Sequence, residues 1–308
     1  MARWLTSLLF MFSPARAVSC IKHRQRRQAG LHRRELWLDG MRHVYLDSGQ
    51  GQPLILLHGF LTDKDVFLKL AAYLSPYYRL IIPDLLGFGE SDKPQDADYT
   101  LAAQAQRLQR FIAQLDLGCV HLAGNSMGGQ LALTYAAHHP EQVQSLWLMA
   151  ATDMGADPSS ETVQRLARGE RNPLIATCTE DYGLLYMKSV HSKPTLSRGV
   201  LKAMARPVIR HRKLHEKIVQ QLMQDKNEPL AEGLKTPSLI VWGDKDRMLP
   251  AAQVSRLQSV LPFSEQRLMA NVGHLSMLEQ PQQLAQDFLC FQQRASLAEI
   301  TPELLRHA

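Results

Sequence analysis

The residues best suited to do chemistry are Gly124-Asn125-Ser126-Met127-Gly128-Gly129, a G-x-S-x-G pattern. They stand between an apolar run at 120–123 and a helical pattern at 127–138. Such a pattern also arises in glycine-rich turns, but a strand before it and a helix after it make it specific. That context raises a serine on a sharp turn above the strand ends, with helix N-terminal amides aimed at it and favouring negative charge there. A serine hydroxyl is a weak nucleophile and needs a base that is itself oriented by an acid. Trp242-Gly243-Asp244-Lys245-Asp246 follows another apolar run and offers two carboxylates. Asp246 is the choice, because Asp244 is closer to the strand end and better placed to shape the turn. Asp153, after the preceding strand, is the competitor. The base is His274, in Asn271-Val272-Gly273-His274. An oxyanion needs two backbone donors; the amides of Met127 and of Phe60, in His58-Gly59-Phe60, are assigned to it. His58 reads as a residue that orients this loop, and Asp84 as a turn-capping or ion-paired acid outside the site. No HExxH or other ligand spacing occurs, so neither a metal nor a cofactor is expected.

These residues have to be carried by elements. Short continuous apolar runs at 53–57, 79–82, 120–123, 145–149 and 238–242, with a further strand at 265–269, suit strands of a largely parallel sheet. Helical patterns at 65–74, 100–116, 127–138, 251–260 and 281–294 alternate with them. Segments 35–38 and 41–46 flank Asp39-Gly40 and predict a hairpin with a type I′ turn. The fold class is therefore α/β, a mostly parallel central sheet with helices on both faces. Residues 152–236 break the alternation with helical periodicity and almost no strand signal, and predict an inserted helical cap. The expected organisation is a leader at 1–34, a core at 35–151 and 237–294, the cap, and a tail at 295–308. Leu174, Ile175, Tyr182, Leu184, Leu185 and Met187 are candidate cap walls around a substrate, or equally cap packing.

The formal net charge of +6 raises nucleic acid as a partner. Eight basic residues and no acid lie in the first 34 positions, so the remainder carries about −2 and nucleic-acid binding is excluded. The apolar run at 4–12 behind a basic start resembles a signal peptide, and the acid-free arginine content also suits a transit peptide. A membrane-attached or exported leader is expected over a cytoplasmic tail, with the basic block against a membrane surface. The four cysteines are far apart and predict no disulfide framework.

LLHGF, DLLGFGESDKP, GNSMGG, WGDKD and NVGH, in this order, resemble the α/β-hydrolase superfamily. SLWL, DADY and NPL add a resemblance to bacterial lipases and esterases related to membrane-anchored monoacylglycerol lipases. The resemblance implies a Ser126–Asp246–His274 triad, hydrolysis of carboxylic esters of small molecules or lipids, and an apolar acyl pocket beneath the cap. Carbon–carbon bond hydrolases of ring-cleavage products share GNSMGG and are the alternative, although the HGF loop and Leu275 depart from their pattern. Epoxide hydrolases and haloalkane dehalogenases need an aspartate where Ser126 stands. A binding protein with slow turnover on the same fold is the reading from another class.

Overall fold

In the computed structural model of the chain, residues 13–151, 164–165, 168–192, 194–224 and 233–306 are described, with side chains as far as residue 297. Helix α1 (Pro14–Gln28) precedes strands β1 (His32–Leu38), β2 (Met41–Asp47) and β3 (Pro53–Leu57). Helix α2 (Leu68–Leu74), β4 (Arg79–Pro83), α3 (Leu101–Gln114), β5 (Val120–Asn125), α4 (Met127–His138) and β6 (Val143–Met149) follow. Between β6 and β7 (Ser238–Gly243) lie helices α5 (Thr179–Ser189), α6 (Arg198–Arg210) and α7 (Arg212–Gln224). The chain ends with α8 (Gln253–Val260), β8 (Ser264–Met269), the single turn α9 (Ser276–Glu279) and α10 (Pro281–Arg306).

The eight strands form one sheet in the order β1-β2-β4-β3-β5-β6-β7-β8. β1 and β2 pair antiparallel, β2 joins β4 antiparallel, and every pairing from β4 to β8 is parallel. The expected hairpin is present: Leu38 faces Met41, and Asp39 (φ 50°) and Gly40 (φ 74°) take the two positive φ angles of a type I′ turn.

Strands β3 to β7 are buried on both faces, which is why their sequences read as unbroken apolar runs. Alternate side chains enter opposite cores. Ile55, Leu57, Leu122 and Leu148 pack with Leu108 and Phe111 of α3 and Leu131 and Tyr135 of α4. Leu54, Leu56, Trp147 and Val241 pack with Leu70 and Leu74 of α2 and Phe288 and Phe291 of α10. Trp147 stacks on Phe288 with ring centroids 4.3 Å apart.

Two boundaries differ from expectation. Part of the expected leader packs with the body: Ala17 of α1 is fully buried, and β1 starts at His32 rather than residue 35, while residues 1–12 lie outside the described residues. At the other end α10 continues past residue 294 to Arg306, through a stretch expected to be a tail.

Candidate active site

Ser126 stands at the junction of β5 and α4 with φ 53° and ψ −120°, a left-handed backbone that a non-glycine residue adopts only under strain. The turn holds this shape because the neighbouring backbones are packed against each other. A Cβ on Gly124 would lie 2.1 Å from the Gly128 carbonyl oxygen, and one on Gly128 would lie 2.2 Å from that of Leu57. The glycines of the pattern are thus required by contact as well as by the turn. Ser126 remains slightly exposed at the start of α4, while its amide donates to the Met149 carbonyl at 3.0 Å.

Asp246 and His274 meet. The Nδ1 of His274 lies 2.8 Å from the Oδ2 of Asp246, whose other oxygen accepts from the amides of Met248 (2.8 Å) and Leu249 (3.0 Å). Burial would raise the Asp246 pKa, but the His274 ring and these hydrogen bonds outweigh it and hold the carboxyl below the usual range. An ionised carboxylate can only accept, so Nδ1 carries a proton and donates this bond. Asp244 lies apart from this pair: its carboxylate binds Lys245 at 3.0 Å and the Val272 amide, which shapes the turn. Asp153 lies outside the described residues.

Asn125, which the pattern leaves unspecified, ties the loops together. Its Nδ2 donates to the Met149 carbonyl at 3.0 Å and to the His274 carbonyl at 3.2 Å. The His58-Gly59-Phe60 loop reaches the same point: a Cβ on Gly59 would sit 3.0 Å from the Asn125 Oδ1 and 3.3 Å from the Ser126 Cβ. Among the described residues, neither the Phe60 amide nor the Met127 amide donates to an acceptor. Both amides expected to receive an oxyanion are therefore unspent beside the Ser126 elbow.

His58 is fully buried and accepts from the Leu85 amide at Nε2 (3.1 Å), so Nδ1 bears the proton and donates to the Gly59 carbonyl (2.8 Å). Both nitrogens are engaged and burial lowers the pKa, so His58 orients the loop, as the sequence suggests. Asp84 is buried outside the site. It accepts from the Lys64 amide (2.8 Å), the Lys64 Nζ (2.6 Å) and the Glu90 amide (2.7 Å). Burial favours a neutral lysine, but the Asp84 charge and its companions outweigh it and raise the Lys64 pKa.

The Phe60 ring meets Phe88 edge-on at 5.8 Å and His215 of α7 at 6.0 Å, while His215 stacks on Phe88 at 5.6 Å. Of the candidate cap walls, Ile175 is buried, Leu184 points to solvent and the other four are half-buried. Sequence reasoning missed Asn125 and His215. Asn125 lay within the pattern, where a side chain with two donors was the available signal, and nothing local marked His215.

The family described as alpha/beta hydrolase fold matches residues 52–281. The chain is similar to Lipase 1 of Psychrobacter immobilis, 36% identical over 274 residues that cover 87% of this chain and 86% of the relative. It is 26% identical over 300 residues to the monoacylglycerol lipase ABHD6 of Homo sapiens, covering 91% and 88% of the two chains. Among solved structures it resembles a membrane phospholipase A described as a bacterial virulence factor. That likeness has a TM-score of 0.86 and 33% identity, over 96% of this chain and 99% of the other. The strained serine elbow on a mostly parallel sheet and a match that spans most of the length lead to one conclusion, that the chain belongs to the α/β-hydrolase-fold family.

Proposed function

We propose that the protein is a serine hydrolase of carboxylic esters, a lipase or esterase that works through an acyl-enzyme. Ser126 Oγ attacks the ester carbonyl while the Nε2 of His274 takes its proton. Asp246 holds the ring in the required tautomer and stabilises the imidazolium. The Phe60 and Met127 amides receive the oxyanion. His274 then protonates the leaving alcohol, and water repeats the sequence on the acyl-enzyme. The observation that carries this reading is the 2.8 Å contact of His274 with Asp246, on a loop that Asn125 ties to the serine elbow.

The lipase relatives support an apolar acyl group as the substrate's recognised part. Contact with an anionic lipid surface is supported by Arg16, Arg24 and Arg27, which are exposed on the acid-free helix α1. Among the described residues no helix is long and apolar enough to cross a membrane.

The test compares p-nitrophenyl esters of graded chain length, monoacylglycerols, triacylglycerols and a ring-cleavage dienoate. Esters are expected to turn over, and Ser126→Ala is expected to lower kcat on the order of 10⁴-fold or more without altering the melting temperature. Retention of most activity in Ser126→Ala, or turnover of the dienoate alone, would overturn the proposal.

A further inference from the structure

The histidine loop is held from the far side of the molecule's sequence. The backbone amides of His274 and Leu275 both donate to the carbonyl of Ser189, the last residue of α5, at 2.9 and 3.2 Å. Beside this contact, the Glu279 carboxylate accepts from the amide of His191 (2.8 Å) and that of Ser192 (3.3 Å). The same carboxylate accepts from the amide of Gly273, at 3.2 Å to one oxygen and 3.3 Å to the other. The two strands of backbone are close enough that a Cβ on Gly273 would sit 2.7 Å from the His191 nitrogen. Arg247, next to Asp246, donates to the carbonyls of Met187 and, at 2.8 Å, Val190.

One carboxylate thus gathers amides from both sides of a joint between the segment after α5 and the residue preceding His274. Charge-assisted bonds of this kind are stronger than neutral ones and fix direction as well as distance. A base that must meet a serine proton depends on that placement, since a displacement of about 1 Å can cost about 100-fold in rate.

We infer that Glu279 is a positioning residue for His274, locking the histidine loop to the segment that follows α5 so that the base stays in register with Ser126. The inference rests on the reading of His274 as the base. Glu279→Gln is nearly the same size but replaces one acceptor by an NH2 group that would face the amides it must bind.

Steady-state kinetics on an ester, with the rate of labelling by a fluorophosphonate as a second readout, test this. Glu279→Gln is expected to keep its fold and its KM while kcat and the labelling rate both fall about 10- to 100-fold. Gly273→Ala, whose Cβ would meet the His191 nitrogen at 2.7 Å and the Glu279 Oε1 at 3.0 Å, forces the same joint apart with the carboxylate retained and is expected to give the same kcat-selective loss. Unchanged kcat in a folded Glu279→Gln overturns the inference, as does a loss in KM alone. If Glu279→Gln does not fold, Gly273→Ala decides by the same criteria. Failure of both to fold also overturns it, by making the joint a matter of stability. Ser126→Ala and His274→Ala are measured alongside. Turnover in either would remove the reading of the site itself, whereas inactivity of both beside a fully active Glu279→Gln would remove only this inference.

Discussion

Asp246 and Asp244 differ by two positions and by what their oxygens touch. Asp246 spends one oxygen on two amides and the other on His274, and its side chain is fully shielded from solvent. Asp246→Asn would preserve the shape but offer an NH2 group to Nδ1, so the ring would turn its proton toward the serine. A fall in kcat on the order of 10⁴-fold is the expected result, with an unchanged melting curve, measured on the best ester substrate. The contact of Asp246 with His274 was legible in the sequence because a residue at a strand end is committed to the turn, whereas one two positions later is free to reach the neighbouring loop. Ser126 and His274 were legible for the same reason, each standing where a strand gives way to a glycine-bearing loop. What could not be read locally was the set of contacts among loops. Asn125 meets the His274 carbonyl across 149 positions, a distance at which no periodicity operates.

Helix α1 shows the limit of local reading more sharply. Its sequence is basic, lacks acids and carries few apolar residues, so it reads as a leader; in the fold its partners are acids 39 or more positions away. Arg26 binds Asp65 through two hydrogen bonds of 2.8 and 2.7 Å, and Lys22 reaches Asp63 (3.1 Å) and Asp65 (3.0 Å). Arg33 binds Glu90 at 2.6 Å, and Glu90 in turn binds the buried Lys64 at 2.8 Å. The only fully enclosed side chain of the helix is Ala17, too small to signal an apolar face. Arg26→Ala would leave the almost enclosed Asp65 carboxylate short of its bidentate partner. A destabilisation of about 2 kcal/mol is expected, because bonds to charged groups contribute about 1.5–3 kcal/mol. Urea unfolding of the variant and the parent checks it. The other elements were largely legible: β3 to β7 by their unbroken apolar runs, and the hairpin by Asp39-Gly40. Residues 295–300 hold no Gly or Pro, which leaves nothing to stop α10 at the expected boundary.

Across the whole molecule, acid should weaken the fold through histidines that are buried uncharged. Burial holds His43, His121 and His215 down to about 4, from an ordinary 6.5. Between these values the unfolded chain binds protons that the native state refuses, so stability rises with pH across that window. It is lost as pH falls from 6.5 toward 4, and below 4 these sites add no further slope because both states are protonated. Each such proton is worth about 1.4 kcal/mol per pH unit. Urea unfolding at neutral pH and at about pH 5 is expected to show the decline, and His215→Phe, which keeps a ring against Phe88, should make it shallower.

The neighbourhood of β6 and β7 has a further bearing. The chain leaves the sheet after Met149 and re-enters at Ser238, yet the two strands are hydrogen-bonded neighbours, Met149 opposite Val241. The sheet fixes both points: Ser238 stands opposite Leu146, three residues before Met149, so exit and return lie about 11 Å apart whatever sequence lies between them. A foreign segment spliced in at these two points would inherit its end-to-end distance ready-made, and its length would carry only a slowly growing entropic penalty. The scaffold is in this sense a socket for the inserted segment, and a replacement would have to keep the backbone after α5 that meets the His274 loop.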